Sequence, residues 1–264
     1  MSVRTDLAID VISEKNDIFS QNEKRFKEVK ITEITVKKDF CDNKIIKPKG
    51  KYITIEFPFV EVLVSFENIK KAIKNALSEA SPKIREKVLV VGLGNDEITA
   101  DSVGPMTAEK VLATRHIAGE FAEKIGLKGL KSISVLAPSV LGKTGIETGE
   151  IIKAVVEKTA PDLVILIDAL ATNNKERLFK NFQITNTGIT PGSGVKNSRK
   201  EISEKTLKTK VLAIGIPTVV ESENLILTPK DADILNKRLS EILSESLNLF
   251  LQPEIEREII LNLV

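Results

Sequence analysis

The sequence predicts an α/β fold: an open, mostly parallel sheet flanked by helices, with an amino-terminal β-hairpin extension. Three observations carry that prediction. Four short runs, KVLVVGL at 87–93, SISVLAP at 132–138, DLVILIDAL at 162–170 and KVLAIGIP at 210–217, are rich in Val and Ile and nearly continuous in apolar residues. Such runs suit strands covered on both faces. Helical spacing recurs at 104–115, 148–158 and 229–251, between or after these runs, and strands alternating with helices build parallel crossover units. Ahead of them, VKITEITV at 29–36 and KYITIEF at 51–57 alternate apolar and polar residues around the turn-rich KKDFCDNKIIKPKG, the pattern of an antiparallel hairpin.

Taken in order, residues 1–29 are polar and weakly periodic, which predicts a loosely packed amino-terminal arm. The hairpin extension occupies 30–60, and the whole of 1–264 is expected as a single α/β domain, a length that buries a sizeable core. FENIKKAIKNALSEA at 66–80 places Ile69, Ala72, Ile73 and Leu77 on one helical face, with Pro82 beyond its end. In GKTGIETGEIIKAVVEK at 142–158, Thr144 and Glu147 stand at capping-box spacing before Ile151, Ile152, Val155 and Val156. NTGITPGSGVKNSRKE at 186–201 is too long and too polar for a simple connection, so it is expected to line a site.

Composition narrows the function. With 39 basic and 37 acidic residues the net charge is +2, which gives no strong field to hold a polyanion. Without Trp and with one Tyr, stacking platforms for single-stranded bases are also disfavoured. Direct nucleic-acid binding is therefore not expected. Cys41 is the single cysteine and cannot form an internal disulfide. The opening MSVRTDLAIDVISEKNDIF has no apolar core of signal-peptide length, and no run approaches a bilayer-spanning length. A cytoplasmic protein is expected. His116 is the single histidine, so neither a Ser-His-Asp triad nor a histidine-rich metal site is easily assembled. It is read as a packing or helix-end residue.

VVGLGNDEITADSVGP at 90–105 begins as a nucleotide-binding strand and turn, with Gly92 and Gly94, but Glu97 stands where a third glycine belongs. Asp96 and Asp101 would repel a pyrophosphate. Taken alone, Asp101 reads as a helix N-cap. Asp168 closes an otherwise apolar strand, where a carboxylate is costly unless hydrogen-bonded or neutralised. A structural bond to a neighbouring loop and a catalytic role both account for it. Together the two residues mean more, because parallel strands each ending near an aspartate can bring both carboxylates into one cleft. Like charges held close share a proton and so supply an acid and a base.

The segments GLGNDEITADSVGP, TRH, GKTGIETGEII, VILIDALAT, TNTGITPGSGVKNSRKEIS and AIGIPTVVES, in this order over about residues 86–222, together with VRTDLAID at 3–10, closely resemble the germination protease family. That resemblance implies an atypical aspartic endopeptidase that degrades small acid-soluble spore proteins, with a fold similar to hydrogenase maturation endopeptidases. It places the catalytic aspartates at Asp101 and Asp168. It further implies a tetramer without a cofactor, made in the developing spore as an inactive precursor that processes itself. Family substrates are cut after an acidic residue followed by an aliphatic and a small one. Asp6, Leu7 and Ala8 fit, so self-cleavage between Asp6 and Leu7 is expected. The maturation endopeptidases use a nickel-contacting histidine, for which the corresponding loops here hold no counterpart, and no metal is expected. Two competing readings are a nucleotide-dependent oxidoreductase using the 92–95 turn and a non-catalytic relative that binds spore proteins.

Overall fold

The computed structural model describes residues 5–11, 18–42, 45–58, 66–81, 86–191, 200–222 and 225–253. Along the chain run α1 (Ala8–Val11), β1 (Phe19–Phe26), β2 (Val29–Val36), β3 (Phe40–Asp42), β4 (Ile45–Lys47), β5 (Gly50–Glu56) and α2 (Phe66–Ala80). There follow β6 (Lys87–Gly92), α3 (Val103–Ala108), α4 (Glu120–Lys124), β7 (Ser132–Leu136), α5 (Leu141–Thr144) and α6 (Thr148–Thr159). The last elements are β8 (Leu163–Thr172), β9 (Asn181–Thr185), α7 (Glu204–Leu207), β10 (Lys210–Ser222), β11 (Leu225–Leu227) and α8 (Ala232–Leu251).

One sheet joins nine strands in the order β1-β2-β5-β9-β10-β8-β6-β7, with β11 paired to β10. β10, β8, β6 and β7 are mutually parallel. β1, β2, β5 and β9 extend it antiparallel. The four apolar runs are the parallel strands, and the chemistry of burial explains why. Alternate residues of each run feed two separate cores. Val88, Val90, Ile165, Ile167, Leu212 and Ile214 pack under α2, α3 and α8. Leu89, Val91, Val164, Leu166, Val211 and Ala213 pack under α6 and α7. A strand buried on both faces has no polar face to show, so it reads as a continuous apolar run.

The hairpin strands 29–36 and 51–57 are β2 and β5, paired Lys30 to Glu56 through Val36 to Gly50. They extend the main sheet through β9. The described part of the arm is not loose. Phe19–Phe26 forms the outer edge strand, paired along its full length with β2, and its charged, exposed side chains suit an edge that must not recruit another strand. Leu7 and Ala8 are fully buried.

Two helical expectations are corrected. The helix expected at 104–115 stops at Ala108, where hydrogen bonds tighten to three-residue spacing (Lys110 to Thr107, Val111 to Ala108, both 3.1 Å). The chain then leaves to serve β7, with the Thr114 and Arg115 amides both donating to the Ile133 carbonyl. His116 consequently sits exposed on a turn, not in a core or at a helix end. The capping box at Thr144 and Glu147 does not form. Thr144 closes the short α5 instead, accepting from the Ile146 amide, and α6 starts at Thr148 without a side-chain cap. Pro82 lies outside the described residues. Among the described residues, no helix is long and apolar enough to cross a membrane.

Candidate active site

β6 ends beside the middle of β8, and Asp168 does not close its strand as expected, because β8 runs on to Thr172 along β10. β6 ends at Gly92, in register with Ile167 of β8, and the next amide, Leu93, donates to the Ile167 carbonyl at 2.8 Å. Asp168 is the following residue of β8 and is 6% exposed. Its Oδ1 accepts the Ala169 amide at 3.0 Å. Across the ladder its neighbour is Gly215 of β10, where an added Cβ would meet the Leu170 side chain at 2.1 Å. The glycine therefore makes room for the Leu170 side chain beside the Asp168 position.

The glycine turn after β6 is filled by a side chain of the protein itself. Gly94 has φ of +116°, a conformation open to glycine. A Cβ there would stand 2.1 Å from the Asp101 carbonyl oxygen and 3.0 Å from Asp101 Oδ1. The turn thus folds around Asp101, and the Asn95 amide donates to Asp101 Oδ2 at 2.8 Å. A backbone donor that a phosphate-binding loop would offer its ligand is occupied by the protein's own carboxylate. The N-cap reading of Asp101 is corrected accordingly. Asp101 ends a single 3-10 turn, Thr99–Asp101, and the residue before α3 is Ser102, whose side chain makes no cap bond.

Three further groups hold the 3-10 turn over the strand ends. Thr218 is the extra residue of a bulge in β10, between Pro217 paired with Leu170 and Val219 paired with Ala171. Bulges re-aim side chains at sheet ends, and Thr218 Oγ1 donates to the Ala100 carbonyl at 2.6 Å. Asn236 of α8, fully buried, donates through Nδ2 to the Thr99 carbonyl and to Ser102 Oγ. Gly104 brings α3 so close that a Cβ would stand 2.1 Å from the Leu93 carbonyl and 2.7 Å from that of Ile167. Outside this frame, Lys143 of α5 pairs with Asp96 at 2.9 Å and Glu97 at 3.0 Å, and its ammonium holds the Asp96 carboxyl below the usual carboxylate range.

Sequence reasoning singled out both aspartates but not Thr218 or Asn236, which hold the 3-10 turn that ends at Asp101. Asn236 left a signal: it lies four residues after Ala232 and three before Leu239, an amide in the buried stripe of α8. Thr218 left none, since a bulge depends on partner strands. The loop expected to line the site is described only at its ends, where Ile189 and Ile202 bridge; residues 192–199 lie outside the described residues. No three of His, Cys, Asp and Glu gather as a metal-holding group among the described residues.

A family model described as germination protease matches residues 4–224. The germination protease of Clostridium acetobutylicum is 35% identical, over 97% of this chain and 97% of that one. Those of Clostridium tetani and Caldanaerobacter subterraneus are each 36% identical, covering 98% and 96% of this chain and 98% and 95% of theirs. Among solved structures, a NiFe hydrogenase maturation protease from Thermococcus kodakarensis aligns with 65% of this chain and 98% of its own, at 18% identity and a TM-score of 0.41.

Proposed function

The chain belongs to the germination protease family and is a peptidase, and on that premise we propose that Asp101 and Asp168 are its catalytic pair. One carboxylate takes a proton from water as it attacks the scissile carbonyl; the other, protonated, delivers its proton to the leaving nitrogen. The observation that supports this reading is that β6 ends against the middle of β8, at the Leu93–Ile167 hydrogen bond, with Asp168 the next residue of β8 and the turn after β6 folded around Asp101. The carboxyl end of a parallel strand is where open α/β sheets place their chemistry. The frame of Gly94, Thr218 and Asn236 supports it, because fixing a carboxylate before reaction is a large part of what a catalytic site must do.

The proposed substrates are small acid-soluble spore proteins, met in the spore, and the proposed assembly is a tetramer. The enzyme is made as a precursor that cuts itself between Asp6 and Leu7. In the present conformation that bond is covered. The Asp6 carbonyl accepts from Lys47 Nζ at 2.6 Å and Gln183 Nε2 at 3.3 Å, and Leu7 is fully buried. Cleavage there requires the segment to lift off first. Incubating the purified protein with a small acid-soluble spore protein and sequencing the fragments tests the reading. Cuts after an acidic residue and before an aliphatic one are expected; a substrate left intact by the matured chain would overturn it.

A further inference from the structure

β7 closes the parallel half of the sheet, and its outer edge is covered for only part of its length. The Ser132 amide donates to the Glu86 carbonyl at 2.8 Å. Ser132, Ser134 and Leu136 therefore turn their backbone groups toward β6, while Ile133 and Val135 turn theirs outward. Ile133 is fully served: its carbonyl accepts the Thr114 and Arg115 amides, both at 3.0 Å, and its amide donates to Thr114 Oγ1 at 3.1 Å. Among the described residues nothing answers the outward N–H and C=O of Val135, the next in line. The open stretch runs from Val135 to the exposed Ala137, about 7 Å. Its side chains are also less enclosed than those of the neighbouring strand. Ser134, Val135 and Leu136 are all part-exposed, whereas β6 is buried from Val88 to Gly92.

Each end of the stretch carries a group that the fold leaves unused. At the amino end the Arg115 amide is tied to Ile133, but its side chain is exposed, and no carboxylate among the described residues pairs with it. At the carboxyl end Ser139 has φ of +64°, a costly conformation for a residue with a Cβ and one that gathers at functional sites. Its carbonyl accepts from Thr148 Oγ1 at 3.1 Å, and its buried Oγ has no hydrogen-bond partner among the described residues. The stretch also points toward the two aspartates. Leu136 is level with Val91 of β6; one step on, Ala137 is level with Gly92, where β6 gives way to the turn around Asp101. A chain added outside β7 would run three strand spacings from β8, about 14 Å. Roughly four or five residues of extended chain cover that span.

An extended polypeptide suits this stretch. Its main chain completes the ladder at Val135, and an acid on it answers Arg115; main-chain bonds of this kind give affinity, while side-chain contacts give selectivity. The sheet edge of a folded partner suits it less, because Thr114 and Arg115 already end the ladder at Ile133 and leave room for one short strand. We propose that the edge of β7 from Val135 to Ala137 is a secondary substrate site, where an extended segment of the polypeptide to be cut adds as a strand and places an acidic side chain on Arg115. The segment held there lies roughly four or five residues from the bond being cut. This site serves the function proposed above and rests on it.

Val135→Pro and Arg115→Glu test the site in the full chain. The first removes an outward N–H that the fold does not use, a place where a strand accepts proline; the second reverses an exposed charge. With a small acid-soluble spore protein as substrate, each should raise KM by about tenfold or more and leave kcat within about twofold. An unchanged KM in either variant, or a loss confined to kcat, would overturn the proposal. So would a smaller assembly for Val135→Pro in sedimentation, which would mean that the edge joins two copies of the chain. Should Val135→Pro not fold, Arg115→Glu decides together with a binding measurement. The probe is a fluorescein-labelled octapeptide, TVTVEVTV, followed by anisotropy. It should bind the unaltered chain at least about tenfold more tightly than Arg115→Glu, and the peptide with Lys in place of Glu should reverse that order. Equal affinities, or no binding, would contradict the site. The same measurement decides if the unaltered chain leaves the spore protein intact, a result that would refute the proposed function without touching the peptide's preference for Arg115.

Discussion

The two halves of the sheet are stabilised in different ways. In the parallel half, β10, β8 and β6 are held by apolar burial on both faces, and an isolated acid within such a strand, Asp168 in β8, stands out at once. In the antiparallel half, β9 alternates Phe182 and Ile184 with Asn181, Gln183 and Thr185, and the polar members are buried too. Asn181 donates to the Arg177 carbonyl at 3.0 Å, Gln183 holds the amino-terminal segment, and Thr185 bonds Thr187. Hydrophobic burial is non-directional and tolerates the loss of one polar group at its rim, whereas a buried polar lattice depends on each partner. The first half is suited to carrying chemistry at its edge, the second to fixing a segment in place.

The sharpest way to break that contrast is at the edge of the parallel half. Asp101→Asn and Asp168→Asn should each lower the rate of spore-protein cleavage by about 10²–10⁴-fold, the span attributed to a general acid or base. Their melting temperatures should stay close to that of the unaltered chain, because the two apolar cores are unchanged. A variant that keeps its activity, or that unfolds, would show that its aspartate serves structure instead.

Gly94→Ala comes next in size. It puts a Cβ against the Asp101 carbonyl at a positive φ, so strain of about 1–3 kcal/mol is expected. Because the displaced residue is Asp101, activity should fall further than stability alone explains. Urea unfolding beside the cleavage rate separates the two effects, and full activity in this variant would show that the turn does not position Asp101.

The smallest effect belongs to the antiparallel half. Burial pushes the Tyr52 hydroxyl up to about 12, from 10.0, and the hydroxyl donates to the Pro48 carbonyl at 2.9 Å. The folded state therefore favours the protonated phenol. Its contribution is complete below pH 10 and is lost as pH rises toward 12, and between pH 9 and pH 11 the loss is about 1 kcal/mol for a shift of this size. Unfolding of the unaltered chain and of Tyr52→Phe at pH 9 and pH 11 should show the alkaline loss shrinking in the variant. Equal losses would mean that Tyr52 is not its source.

The same contrast explains what was legible in the sequence. A strand buried on both faces writes its state into every residue, so β6, β8 and β10 were readable, and Asp168 with them. β2 and β5 were readable by alternation. β1 was not, since an edge strand carrying Ser20, Asn22, Glu23 and Lys24 has the composition of a loop. For Asp101 the residues alone left a capping role open beside that of one member of a carboxylate pair, and resemblance implied the second; the Gly94 turn that encloses it is not visible in local patterns. Thr218 and the seat of Thr5–Asp10 depend on bonds spanning more than a hundred residues, which local patterns do not encode. The same holds for the helix that ends at Ala108, where bonds to Ile133 outweigh the local propensity of 109–115.

The central claim is that Asp101 and Asp168 act as one unit, and the double variant Asp101→Asn/Asp168→Asn measures it most directly. Two groups that share one chemical step lose that step once, so the double variant should cleave spore protein no more slowly than the slower single variant. Losses that multiply, with the double variant slower by the product of the two single effects, would show that the aspartates work independently and would contradict the account.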